Sequence, residues 1–403
     1  MMHRTLSHTE SVVQTFETNI VIVNSIGWRY IFRPMAKQSS LDGWHKVRGA
    51  AFVEKNGWLL PSHFGNPQGE YQAVRKGVGL IDLAHRSLLQ FTGPDRVSFL
   101  QGMLSNDLRV LKPFDGQQAA ILTQQGKIIA DVRVLCALNS IYLDFWEFLK
   151  DRVLAHLRRY LVADEVEIAD PSDQWHMLSV QGPQVPALLN ELFGHEPLPS
   201  QPMQHGMVHF DGSPICVVEA NHFGEPGFDL VISTSAVTHV AQRLTDNGKK
   251  FSAAWVGEEA QEILRIEAGV PRCGVDFTED NLLLEVGLDN AVSFTKGCYL
   301  GQEVVERIRS RGHVNKKLVG LALYGHEPAA AGDAISAGDK GVGNITSSVH
   351  SPAWGRPIAL GYVQKDCWAP GTELLVKHSG AAVTATVVEF PFVAAGGTTN
   401  SSS

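Results

Sequence analysis

The stretch F-T-K-G-C-Y-L-G-Q-E-V-V-E, Phe294 to Glu306, sets Cys298 between Lys296-Gly297 and Tyr299, with Gly301-Gln302-Glu303 close behind. Two glycines let the backbone turn tightly, and an ammonium that reaches the sulfur stabilises thiolate and lowers the thiol's pKa. Gln302 and Glu303 read as the first turn of a helix whose N-terminal dipole acts in the same direction. The residues describe a reactive-thiol loop; on spacing alone they equally describe an inert cysteine packed into a turn.

Working outward, R-I-R-S-R-G-H-V-N-K-K from Arg307 to Lys317 carries a run of positive charge and reads as a solvated linker rather than a receptor for RNA or a polyglutamate tail. Beyond Val314 the helical period disappears, and residues 317–324, 358–363, 373–376 and 381–389 read as strands separated by Gly, Pro and Asp turns. A small all-β, barrel-like domain is expected there. Upstream, residues 88–92, 118–123 and 128–136 read as strands. Apolar positions Leu149, Val153, Leu157 and Leu161 line one helical face, and Val97, Leu100 and Leu104 line another. From Trp175 to Gly274 the mixed pattern repeats, with Phe91-Thr92-Gly93-Pro94 and Val180-Gln181-Gly182-Pro183 both joining a strand to a helix, a hint of internal duplication. The expected class is α+β: two mixed domains followed by the β-barrel-like one. The ranges are a flexible, loosely attached extension over 1–43, domains over 44–170, 171–313 and 314–395, and a flexible tail over 396–403. Met35-Ala36 reads as a possible alternative start.

Four hundred and three residues call for two or three domains, and 44% apolar with 19% charged residues is ordinary globular usage. A formal charge of −8 gives no chain-wide attraction for phosphate backbones, so no stable nucleic-acid complex is expected. The five cysteines are scattered without a C-x-x-C pair, which disfavours a disulfide framework, a zinc knuckle or a resident cluster and suits a reducing, cytoplasmic setting. No run approaches the roughly 18 apolar residues of a membrane span. A soluble protein with no membrane partner is the expectation.

K-G-C-Y-L-G-Q-E at Lys296 to Glu303 resembles the signature of the YgfZ family of folate-binding proteins, relatives of the T-protein aminomethyltransferase of glycine cleavage. The likeness extends to A-V-R-K-G-V-G-L-I-D at Ala73 to Asp82, F-L-Q-G-M-L-S-N-D at Phe99 to Asp107 and L-R-I-E-A-G at Leu264 to Gly269. It also takes in V-G-N-I-T-S from Val342 and I-A-L-G-Y-V from Ile358. It implies a clover of three domains around a channel for tetrahydrofolate. It also implies iron-sulfur client or assembly proteins as partners, with effects on tRNA modification through iron-sulfur enzymes. In that reading Cys298 and Lys296 carry the chemistry, supported by Gly297, Tyr299, Gly301, Gln302 and Glu303. Glu225 in H-F-G-E-P-G-F-D matches the T-protein glutamate, and its carboxylate can accept the pterin's adjacent N–H donors as a fork. Arg265, Asn106 and Asp131 are the further folate candidates; Arg265 is equally suited to pair with Glu262 or Glu267, and Asn106 to cap a helix.

One departure stands out. In G-K-I-I-A-D-V, Gly126 to Val132, the resemblance puts Ala130 where the first of two T-protein aspartates, taken as the catalytic one, belongs. Asp131, one step along a strand, is expected to face the other way. Ala130 therefore speaks against the alternatives of an aminomethyltransferase or a demethylase. A folate-binding scaffold without chemistry is the third possibility.

Overall fold

The computed structural model describes residues 35–399 apart from positions 195, 313 and 379, together with three short strands between residues 13 and 32. Of the expected extension over 1–43, positions 1–12, 17–18, 25–26 and 33–34 lie outside these residues; Val13–Phe16, Asn19–Asn24 and Gly27–Phe32 form a small antiparallel sheet, and Ser39, Leu41 and Asp42 are buried in the body of the fold rather than in a flexible extension. Among the described residues no helix is long and apolar enough to cross a membrane.

Alternation along Ile128–Cys136 organises the first layer. Ala130, Val132 and Val134 turn to one side and pack with Leu100, Val153 and Leu157 from the helices Arg96–Met103 and Lys150–Tyr160. The strand is an interior one, next to the edge, of a five-stranded antiparallel sheet ordered Glu167–Ala169, Arg86–Thr92, Ile141–Trp146, Ile128–Cys136, Gly116–Leu122. Asp131 and Arg133 occupy its other face, the period of two leaving them no choice once the apolar set is buried.

That other face meets a second sheet, ordered His205–Phe210, Ser213–Glu219, Gly227–Ser233, Trp175–Gln181, Val78–Asp82, Ala253–Trp255. Its last pair is parallel and the rest are antiparallel. Helices Val185–Leu192 and Val237–Gly248 cover its outside through Leu188, Leu189, Val240 and Leu244. Helices Pro67–Lys76 and Glu258–Glu267 cover the inside through Val74, Ala260 and Leu264.

The two units interleave instead of following one another with a boundary at 170. Val78–Asp82 joins the second sheet before the first is built. The later segment carrying Cys273, Phe277, Leu283, Val292, Tyr299 and Val305 returns to the core of the first. Each apolar face is closed by chain from the far side of the sequence, a pairing that local periodicity does not encode. The helix-leading strands Arg86–Thr92 and Trp175–Gln181 do feed the helices anticipated from the two Gly-Pro turns.

A closed six-stranded barrel completes the molecule, ordered Lys316–Leu323, Arg356–Gln364, Lys340–Ser351, Ala334–Ala337, Glu373–His378, Ala381–Val388. Its outer side leans on Ile266 through Leu318, Ile358, Leu360, Phe392 and Val393. The fold class expected from the sequence, two mixed α+β units and a C-terminal barrel, is the fold observed.

Candidate functional site

Where the two sheets meet, a cleft is lined by Arg86, Trp146, His222, Phe223, Arg265 and Arg272, among others. Strand register places Asp131 on this wall. Arg133 pairs with Asp144, so Asp131 stands opposite Trp146, which in turn pairs with Arg86. The three side chains therefore share one row of one face. Asp131 is half-buried, and its Oδ1 is a buried acceptor with no hydrogen-bond partner among the described residues. Burial pushes its carboxyl up, while Arg86 pulls it partly back.

The surrounding polar groups are paired and held rigid. Arg86 Nε lies 2.8 Å from Asp144 Oδ1, and Arg133 bridges Asp144 to Asp229 of the other sheet, its Nη1 2.5 Å from Asp229 Oδ2. His222 Nε2 sits 3.0 Å from Asp229 Oδ1. Burial pushes the Asp229 carboxyl up, but His222 and Arg133 outweigh it and keep it well below the usual range. Among these carboxylates Asp131 alone keeps an orphaned oxygen, in the row of side chains that Trp146 and Arg86 continue into the cleft lining.

Ala130 is fully buried in the first core. This reverses the expectation from the sequence. The side that Ala130 faces is occupied by leucine and valine, and the carboxylate retained at Asp131 is the one on the face shared with the cleft residues Trp146 and Arg86. The missing first aspartate is therefore no argument against chemistry there.

Glu225 is buried, its Oε1 3.2 Å from Arg75 Nη1. Arg75 also holds Glu267 at 2.7 Å, and Tyr71 donates to the same Glu267 at 2.9 Å. The backbone N–H of Gly396 donates to both Glu225 oxygens, at 3.2 and 3.3 Å. Gly396 is thus pinned, not free as its composition suggests, and Glu225 lies under the tail.

Arg265 is buried with its donors committed: Nε to Glu262 at 2.8 Å, Nη1 to Asp276 at 2.7 Å and to the Val270 carbonyl at 3.2 Å, Nη2 to Ser347 at 2.8 Å and to Glu262. It ties the helix Glu258–Glu267 to the barrel. Asn106 donates its amide to the carbonyls of Gln118 and Asn290 at 2.8 and 3.0 Å, locking a loop rather than lining the cleft.

The motif that opened the sequence turns out to be a clasp. Lys296 is buried and its ammonium donates to three backbone carbonyls, Gln101 at 2.8 Å, Leu104 at 2.7 Å and Asn106 at 2.8 Å. Burial brings its pKa down to about 8. All three N–H donors point at the first domain, which corrects the expectation that Lys296 activates Cys298. Cys298 and Gly297 are exposed. Tyr299 is buried 5.0 Å from the Lys296 ammonium, ring centroid to nitrogen. Gly301 has φ +85°, and a Cβ there would stand 2.6 Å from the Thr123 carbonyl, so only glycine permits the approach. Gln302 and Glu303 begin the helix Gln302–Arg311, as expected. The residues the sequence did not single out, Arg86, Trp146, Arg133, His222 and Asp229, carry no local signature. They become a site only through register.

Two interleaved sheets with a cleft where they meet, completed by a C-terminal barrel, define a class of three-part α+β folds. Residues 41–296 match the GCVT N-terminal domain and residues 316–394 the glycine cleavage T-protein C-terminal barrel domain. The chain belongs to the glycine cleavage T-protein family. It is 30% identical to an aminomethyltransferase of Rubrobacter xylanophilus, over 90% of this chain and 95% of that protein. It is 28% identical to one of Bacillus subtilis, over 89% and 99%. Among solved structures, the glycine cleavage system aminomethyltransferase T from Bartonella henselae superposes with a TM-score of 0.82 at 25% identity, covering 89% of this chain and 98% of that one.

Proposed function

We propose that this chain is a tetrahydrofolate-dependent one-carbon transferase of the aminomethyltransferase type, with Asp131 as the carboxylate beside the reacting nitrogen. The observation that carries the reading is the orphaned Oδ1 of Asp131 on the cleft wall. Family membership and the near-complete coverage of relatives named aminomethyltransferase point the same way. Tetrahydrofolate, when bound, supplies the nucleophilic nitrogen. Asp131 accepts that group's proton or orients it, and Arg86 and Arg133 keep the site's charge balanced. Glu225 accepts the pterin's donor pair once Gly396 gives up the carboxylate. The cleft holds about 80 Å³ of open space, against the roughly 300 Å³ at which ligand pockets begin, so entry requires a wall to move. Calorimetry with tetrahydrofolate, followed by a transfer assay from a lipoyl-bound aminomethyl donor, tests the reading. Binding and turnover are expected; binding without turnover would reduce the protein to a scaffold.

A second reading, iron-sulfur maintenance of the YgfZ type in the cytoplasm with effects reaching tRNA modification, rests on one feature, the exposed Cys298 in K-G-C-Y-L-G-Q-E. Cys298→Ser separates the two. It leaves transfer unchanged under the first reading and abolishes complementation of a strain lacking its own YgfZ-type protein under the second.

A further inference from the structure

A second cleft, of about 310 Å³, opens beyond Arg86 and Leu83, which it shares with the first, and is walled by Trp58, Leu88, Trp175 and Met177. Ser40, exposed on its rim, places its Oγ 2.7 Å from His176 Nδ1. His176 is buried, and its Nε2 lies 2.9 Å from Asp82 Oδ1. Asp82 is itself fixed: Oδ1 accepts from the Ala84 N–H at 2.9 Å, and Oδ2 lies 2.5 Å from Ser39 Oγ and 2.8 Å from His45 Nε2. From this geometry we infer that Ser40, His176 and Asp82 form a serine-nucleophile site, distinct from the folate cleft, that hydrolyses a small uncharged acyl ester.

Sheet register builds the constellation. Leu178 pairs with Asp82 across neighbouring strands, so His176, two residues away, shares the face of Asp82 and reaches it diagonally. Leu41 is fully buried in the second core and anchors Ser40 at the cleft edge. The tautomer follows from the acceptor. Although burial pushes the Asp82 carboxyl up, His176 and His45 hold it well below its ordinary value, so it is ionised and only accepts. His176 Nε2 therefore donates to Asp82, and in the neutral ring the Nδ1 lone pair is the one left for the Ser40 hydroxyl 2.7 Å away. The roles are those of nucleophile, general base and orienting carboxylate, with the two ring nitrogens exchanged relative to the usual serine triad.

Ser40 Oγ adds to the ester carbonyl carbon as its proton passes to Nδ1. The ester C–O bond breaks, and Nδ1 returns the proton to the departing alkoxide. Water then attacks the acyl-serine through the same nitrogen, releasing the carboxylic acid and restoring Ser40. The lysines and the arginine of the cleft wall are already paired, Lys37 with Glu147 at 2.5 Å, Lys150 with Asp170 at 2.9 Å and Arg86 with Asp144, which disfavours an anionic substrate and suits an uncharged one.

A fluorophosphonate probe and p-nitrophenyl acetate test this on the full chain. The expected result is a probe adduct on the peptide containing Ser40 by mass spectrometry, and acetate ester hydrolysis that falls at least 100-fold in Ser40→Ala and His176→Gln. The exposed Ser40 makes its alanine variant safe for folding, and an unchanged thermal midpoint verifies it. Asp131→Asn, in the other cleft, keeps the adduct. No adduct on Ser40 in the folded wild type, or undiminished hydrolysis by Ser40→Ala, overturns the assignment.

Discussion

Parity along one strand decides what this protein can do. Ala130 and Asp131 differ by one position, yet one belongs to a leucine-valine core and the other to the opposite face, in the row of Trp146 and Arg86. The sequence offered both residues, and the alternation A-D-V-R-V that puts them on opposite sides, but not which side meets the other sheet, because that is set by partner strands far away in the chain. Ala130→Asp is therefore expected to gain no transfer activity. An unpaired carboxylate forced into this core should cost about 3–5 kcal/mol, measured as a fall in the denaturation midpoint; a stable, more active variant would show that the two sides had been exchanged. Lys296 teaches the same lesson. Its neighbourhood to Cys298 in sequence was plain, but the ammonium was claimed by three carbonyls nearly 200 positions away, a competition invisible to local reading.

At the scale of elements, helices with clear periodicity were legible, among them Lys150–Tyr160 and Arg96–Met103, and so were the strands Lys316–Leu323 and Ala381–Val388. The barrel strands Ala334–Ala337 and Lys340–Ser351 were not, since glycine, aspartate and serine interrupt their alternation. The helix Glu258–Glu267 links both sheets and the barrel, and its first residue sets an acid limit on stability. Burial pushes the Glu258 carboxyl up, but Arg272 and Lys55 hold it down to about 2. A folded value below the unfolded one contributes stability above the unfolded pKa, roughly 3 kcal/mol from the drop below about 4.3. That contribution is lost as pH falls from about 4.3 towards 2, so wild type should lose more stability than Glu258→Gln across this window in chemical denaturation; parallel losses would exclude Glu258 as a source. The tail is the other element with a consequence. Because the Gly396 N–H uses both acceptors of Glu225, deleting residues 394–403 should tighten tetrahydrofolate binding several-fold by calorimetry. Weaker binding would make the tail part of the ligand site.

In the whole molecule, the fold class and barrel were readable from composition and periodicity, whereas the interleaving of the two sheets was not, because it pairs Val78–Asp82 with Ala253–Trp255 and Trp175–Gln181 over long separations. That interleaving is what makes the cleft. It brings Arg133 of one sheet against Asp229 of the other and leaves Asp131 as the unsatisfied carboxylate between them. The most direct measurement is aminomethyl transfer by Asp131→Asn beside wild type, with tetrahydrofolate affinity determined on the same preparations. A positioned acid-base group contributes about 10²- to 10⁴-fold, so the variant should lose that factor in kcat with its Kd for tetrahydrofolate little changed. Equal kcat in variant and wild type would contradict the assignment of Asp131 and with it the account of this site.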